Sequence, residues 1–103
     1  MTKIDRAASL PDEMQGRWVD IDDASTELAI SGGEITCFGR LVEYDFKTIE
    51  EIDGALTVSL SVNDTAKLDS FQRENITELV LTPEGDFHAY NVKFATQFIQ
   101  ANK

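Results

Sequence analysis

After Arg17 the chain alternates between apolar and polar residues with a period of two, and turn-forming residues interrupt the alternation at short intervals. A period of two places successive side chains on opposite faces of a strand, so the pattern predicts half-buried β-strands. Trp18, Val19 and Ile21 open the first of them, and Asp22-Asp23-Ala24-Ser25 reads as the turn that follows. Leu28 and Ile30 lead into Gly32-Gly33, a pair able to take positive φ at both central positions of a two-residue hairpin turn. Ile35 and Cys37 continue the alternation on the return strand, Gly39-Arg40 breaks it, and residues 41–46 form the next strand. Asp53-Gly54 is a second strong turn signal, between residues 49–52 and 56–62. Two registers fit that hairpin: a two-residue loop sets Glu51 opposite Leu56, and a bulged three-residue loop sets Ile52 there.

Three segments read differently. Residues 1–16 are a polar lead-in, partly flexible over 1–15, with a short helical turn, which Ser9 caps, Pro11 and Asp12-Glu13 suit, and Gly16 stops. Residues 63–75 are polar, anchored by Ala66, Leu68 and Phe71 alone, and fit a loop, a short helix after Asp64 or a ragged strand. Residues 76–82 and 87–94 form a last hairpin around Pro83-Glu84-Gly85. Beyond it Phe94, Ala95, Phe98 and Ile99 have helical spacing, while Phe94 and Phe98 also fit a strand.

Two of the hairpins echo each other, and the echo assigns faces. Pairing outward from Gly32-Gly33 sets Ile30 opposite Ile35 and Leu28 opposite Cys37; pairing outward from the later turn sets Leu81 opposite Phe87 and Leu79 opposite Ala89. These faces are wholly apolar and belong to the core. The opposite faces carry Ala29 with Thr36 and Glu27 with Phe38, then Val80 with His88 and Glu78 with Tyr90, so His88 points outward. The expected fold is all-β: one domain over residues 1–103, an antiparallel meander closing into a small or flattened barrel of about 7–8 strands. A C-terminal helix is the alternative for the last residues.

Composition narrows the function more than the fold. Nineteen carboxylates against nine basic residues give a net charge of −10. That balance disfavours nucleic acid and anionic membrane, both of which need concentrated Lys and Arg, and favours a basic protein as macromolecular partner. No apolar run approaches the roughly 20 residues of a membrane span, and the first residues lack a secretory h-region, so cytoplasmic residence is the default expectation. The single cysteine, Cys37, lies on the predicted core face without a basic neighbour in sequence, as an inert buried thiol. With His88 as the only histidine, a multi-histidine metal site is excluded. Asp20-x-Asp22-Asp23 fails as a calcium loop, because Ser25 and Ser31 stand where Gly and Glu are needed. Gly32-Gly33 lacks the Lys and following helix of a phosphate loop. No cofactor or catalytic residue is expected.

Gly16-Arg17-Trp18, at the start of the first strand and after a short helical turn, resembles the G-x-W signature of lipocalin-type (calycin) barrels. The resemblance implies a meandering barrel with Trp18 packed across one end, and it delivers no ligand. Biotin binding, which a fainter likeness of residues 16–46 to avidin-type barrels brings up, is opposed by the presence of one Trp only.

The expected function is therefore a non-enzymatic binding or interaction protein. Two alternatives stand beside it: an acidic inhibitor or immunity-type protein masking a basic partner, and a carrier of a small apolar ligand or a barrel enzyme. Candidate contact residues are Phe38, Tyr44, Glu78, His88, Tyr90 and Phe94, of which Phe38, Tyr90 and Phe94, with Val80 and Val92, put apolar area on an outward face. Either the segment around Phe98 covers that face or it meets another chain, a homo-oligomer included. Trp18, Gly33, Gly54 and Gly85 are assigned structural roles.

Overall fold

The computed structural model describes residues 3–37, 39–93 and 95–101. Ten strands are β1 (Ile4–Asp5), β2 (Gly16–Asp20), β3 (Glu27–Ser31), β4 (Glu34–Cys37), β5 (Arg40–Leu41), β6 (Phe46–Ile52), β7 (Ala55–Ser61), β8 (Glu78–Leu81), β9 (Phe87–Tyr90) and β10 (Ala95–Gln100). A 3-10 turn at Asp12–Met14 precedes β2, and one helix, α1 (Thr65–Glu74), lies between β7 and β8. All ten strands belong to one antiparallel sheet in the order β1-β6-β7-β8-β9-β10-β2-β3-β4-β5. Sequential neighbours pair throughout, except where β10 joins β2 and β1 joins β6.

The sheet curls into a half-barrel and does not close, because no ladder joins its two edge strands, β1 and β5, among the described residues. The expectation of a closed barrel of 7–8 strands is corrected on both points. Two of the additional strands, β1 and β5, are two-residue edges. Such short edges leave little backbone to template pairing with another chain.

The echoed hairpins have the expected registers. Leu28 pairs with Cys37 and Ile30 with Ile35; Leu79 pairs with Ala89 and Leu81 with Phe87. Their inner faces enter one continuous core with Trp18, Val58, Leu60, Phe71 and Phe98. Ala29–Thr36, Val80–His88 and Glu78–Tyr90 pair on the outer face. Asp53-Gly54 forms the two-residue loop, with φ of 51° and 83°, which sets Glu51 opposite Leu56. At Gly32-Gly33 only Gly32 has positive φ. Gly33 is required for another reason: a Cβ there would lie 2.0 Å from the Arg6 carbonyl oxygen and 2.6 Å from that of Ala8.

Close approach at Gly33 reflects the path of the lead-in, which packs along the open seam. β1 pairs with β6, Leu10 and Met14 are buried, and the Leu10 N–H donates to the Gly32 carbonyl. Gln15 fastens the same place, donating to the Leu10 and Gly32 carbonyls and accepting from the Gly32 N–H.

The strand expected at 41–46 is also different. β5 stops at Leu41, Val42 and Tyr44 turn inward, and β6 runs unbroken from Phe46. Residues 63–75 resolve as helix: the Asp64 carboxylate caps the Ala66 N–H, Phe71 is buried, and Asp69 and Arg73 pair one turn apart. Among the described residues no C-terminal helix forms, because residues 95–100 are strand β10, paired with β9 and with β2. Flanking partners decide a short apolar run that local spacing leaves open.

Candidate functional site: a hollow beside Trp18

Trp18 organises one mouth of the half-barrel. Its indole Nε1 donates to the Met14 carbonyl at 3.1 Å, which ties β2 to the 3-10 turn before it. Its ring lies 4.4 Å from that of Phe87, at an interplanar angle of 54°. Phe87 stands opposite Phe98 on one side and Leu81 on the other. A wall of Leu81, Phe87, Phe98 and Trp18 results from residues spread over four strands.

An open hollow of about 570 Å³ lies against this wall, lined by Glu13, Trp18, Leu81, Gly85, Asp86, Phe98, Ile99 and Gln100. That volume falls within the range of small-molecule seats. Trp18 and Phe98 are 4% and 2% exposed; Leu81 is half-buried and Ile99 is 45% exposed. The hollow sits at the mouth, outside the filled core, so it does not carry the cost of an empty apolar cavity.

Among the described residues, both charged side chains that line the hollow are carboxylates. Glu13 and Asp86 line the hollow, and Asp12 adjoins Glu13 on the same turn. The Asp53-Gly54 loop abuts the next one, since a Cβ at Gly54 would lie 3.0 Å from Pro83 Cγ, and Glu84 follows Pro83. Arg17, next to Trp18 on β2, is held by Glu27 in a two-pronged exposed pair at 3.0 and 3.1 Å. That hydrogen-bonded pairing raises the Arg17 pKa and lowers that of Glu27.

Of the six contact residues expected from sequence, four are described, and Tyr44 lies apart from Glu78, His88 and Tyr90. Glu78, His88 and Tyr90 share the outer face of β8 and β9, all half-buried, with the His88 and Tyr90 rings stacked at 6.2 Å. Phe98 cannot cover that face, because it is buried on the inner one. Val92 is 62% exposed in the following loop. Phe38 and Phe94 lie outside the described residues.

Tyr44 is no surface contact, since it is fully buried at the seam. Its hydroxyl donates to the Gly33 carbonyl and accepts from the Lys47 ammonium at 3.3 Å. Lys47, also fully buried, donates to the Asp5 carbonyl at 2.8 Å and to that of Ala8. Burial pushes its pKa below the usual lysine value, with Asp5 opposing.

A smaller recess of about 160 Å³ lies elsewhere, lined among others by Cys37, Arg40, Arg73, Asn75 and Asn91. Asn91 closes the end of α1 there, donating to the Gln72 carbonyl at 2.8 Å and to that of Asn75. Asp20 and Asp23, the carboxylates weighed for calcium, accept from backbone N–H groups of their own turn, at Asp22 and Ser25. Sequence reasoning singled out Trp18 and missed Glu13, Leu81, Asp86, Phe98 and Gln100 as its neighbours in a hollow. No local signal marks them, because only the β10–β2 and β9–β10 ladders assemble the set. Comparison with family models, curated proteins and solved structures gives no match to this chain.

Proposed function

We propose that this protein is a non-catalytic binding protein whose seat is the hollow beside Trp18. The observation that carries the reading is an apolar wall left open beside the buried core of the half-barrel, with Leu81 and Ile99 accessible next to the buried Trp18 and Phe98. A concave apolar surface with a few polar groups at its rim is the usual form of a ligand site. A lipocalin-like origin is part of the proposal. The meander order, the β10–β2 junction and the 3-10 turn under Trp18 support it, together with the Gly16-Arg17-Trp18 resemblance.

Trp18 is the only tryptophan and reports directly on the hollow. Titration with the neutral apolar dye N-phenyl-1-naphthylamine should give saturable dye emission and quenching of Trp18, and Leu81→Glu should abolish both. Dye binding that is unaffected by Leu81→Glu, or no binding at all, would refute the seat.

A further inference from the structure

We infer that the occupant of the hollow is a basic, apolar-anchored segment of a partner polypeptide; this rests on the seat proposed above and specifies its ligand. Charge complementarity carries the inference. Glu13 and Asp86 line the hollow, whereas Trp18, Leu81, Phe98 and Ile99 give it an apolar floor. An occupant matching both has an apolar group for the floor and cations for the rim. Among the described residues no basic side chain lines the hollow, and Arg17 nearby is already paired with Glu27.

Extent decides between a small amine and a chain. Asp53 and Glu84 sit on the two abutting loops beyond the lining, and Asp12 lies beside Glu13. A small amine that fills about 570 Å³ leaves these outer carboxylates unengaged. A chain crossing the mouth, with Lys or Arg flanking an apolar anchor, meets them as well. The net charge of −10 adds a long-range attraction of the same sign, which speeds encounter and weakens with salt.

The test follows Trp18 emission while the protein is titrated with a hexapeptide KKLFKK, blocked at both ends, and with its acidic counterpart EELFEE. KKLFKK should bind saturably, losing about tenfold in affinity or more between roughly 0.05 and 0.5 M salt, and EELFEE should not bind. The double variant Glu13→Gln/Asp86→Asn should weaken KKLFKK about tenfold. Glu43→Gln/Glu50→Gln removes the same charge away from the hollow and should change affinity less than twofold. Equal losses in the two double variants would mean unspecific attraction to an acidic protein and overturn the inference. Equal binding of EELFEE, or phenethylamine binding as tightly as KKLFKK, would overturn it too. If the neutral dye binds and KKLFKK does not, this inference fails and the seat stands; if neither binds, the seat itself falls.

Discussion

The Lys47 ammonium donates to the Tyr44 hydroxyl at 3.3 Å, and that hydroxyl donates to the carbonyl of Gly33, so two buried side chains bridge the one place where the sheet is open. Between the edge strands β1 and β5, where no ladder forms among the described residues, side-chain bonds and the lead-in segment stand in its place. Lys47 also holds the Asp5 and Ala8 carbonyls, which makes it the peg on which that segment hangs.

Replacing Lys47 by Met keeps the stem and removes the donors. The carbonyls it served become buried without a partner, and bonds to a charged donor are worth about 1.5–3 kcal/mol. Lys47→Met should therefore lower unfolding stability by ~2–3 kcal/mol in urea titrations. It should also speed amide exchange at Leu10, whose N–H bonds to Gly32 across the seam. Unchanged exchange at Leu10 with lowered stability would show that the segment is held by packing alone.

Gly33 and Gly85 separate two reasons for glycine. A Cβ at Gly33 meets backbone oxygens of Arg6 and Ala8 inside van der Waals contact, and backbone cannot swing aside like a side chain. At Gly85 nothing lies within 4 Å and only φ of +92° resists a side chain. Gly33→Ala should cost ~3 kcal/mol or more by forcing the lead-in off the seam, and Gly85→Ala about 1–2 kcal/mol through φ alone. Comparable melting temperatures for the two variants would contradict this.

The alkaline limit of stability should depend on Tyr44. Burial raises its pKa, Asp5 and Glu34 act in the same direction, and Arg6 opposes. A raised folded-state value means stability that is complete below the ordinary phenol range near 10 and is lost as pH climbs through the folded value. Lys47, lowered by burial, acts in the other direction and in an earlier window: stability rises as pH approaches the ordinary lysine value of about 10.4 from below. Tyr44→Phe should cost about 1–3 kcal/mol near neutrality, because the Gly33 carbonyl loses its donor. The gap between wild type and Tyr44→Phe should hold to about pH 10 and narrow above it. A gap constant through about pH 11 would show that the buried phenol does not govern alkaline unfolding.

What could be read from sequence follows the range of the interactions. The registers around Gly32-Gly33 and Pro83-Glu84-Gly85 were legible because a turn and a period of two determine neighbours a few residues apart. The inward face of Cys37 and the outward face of His88 came with them. The seam was not legible, since Lys47 and Tyr44 look like surface residues until Gly33 and Ala8 are brought beside them. The hollow was hidden for the same reason: Glu13, Trp18, Leu81 and Phe98 share it only after β10 has paired with β2 and β9.

That last ladder sets up the sharpest test of the fold. β10 sits between β9 and β2 in the interior of the sheet, with Phe98 opposite Phe87 on one side and Asp20 on the other. A terminal segment attached as a covering helix would fray without unfolding the rest, whereas a central strand cannot leave without opening the core. Phe98 is 2% exposed, so Phe98→Ala should cost about 3–5 kcal/mol. The amide of Ile21, which bonds to the Gln97 carbonyl, should exchange in the wild type only through global unfolding. Leu68→Ala, on the half-buried face of α1, should cost less and leave that exchange rate governed by the same global event. Exchange at Ile21 faster than global unfolding in the wild type would show β10 opening by itself, and the half-barrel would then have to be redrawn without it.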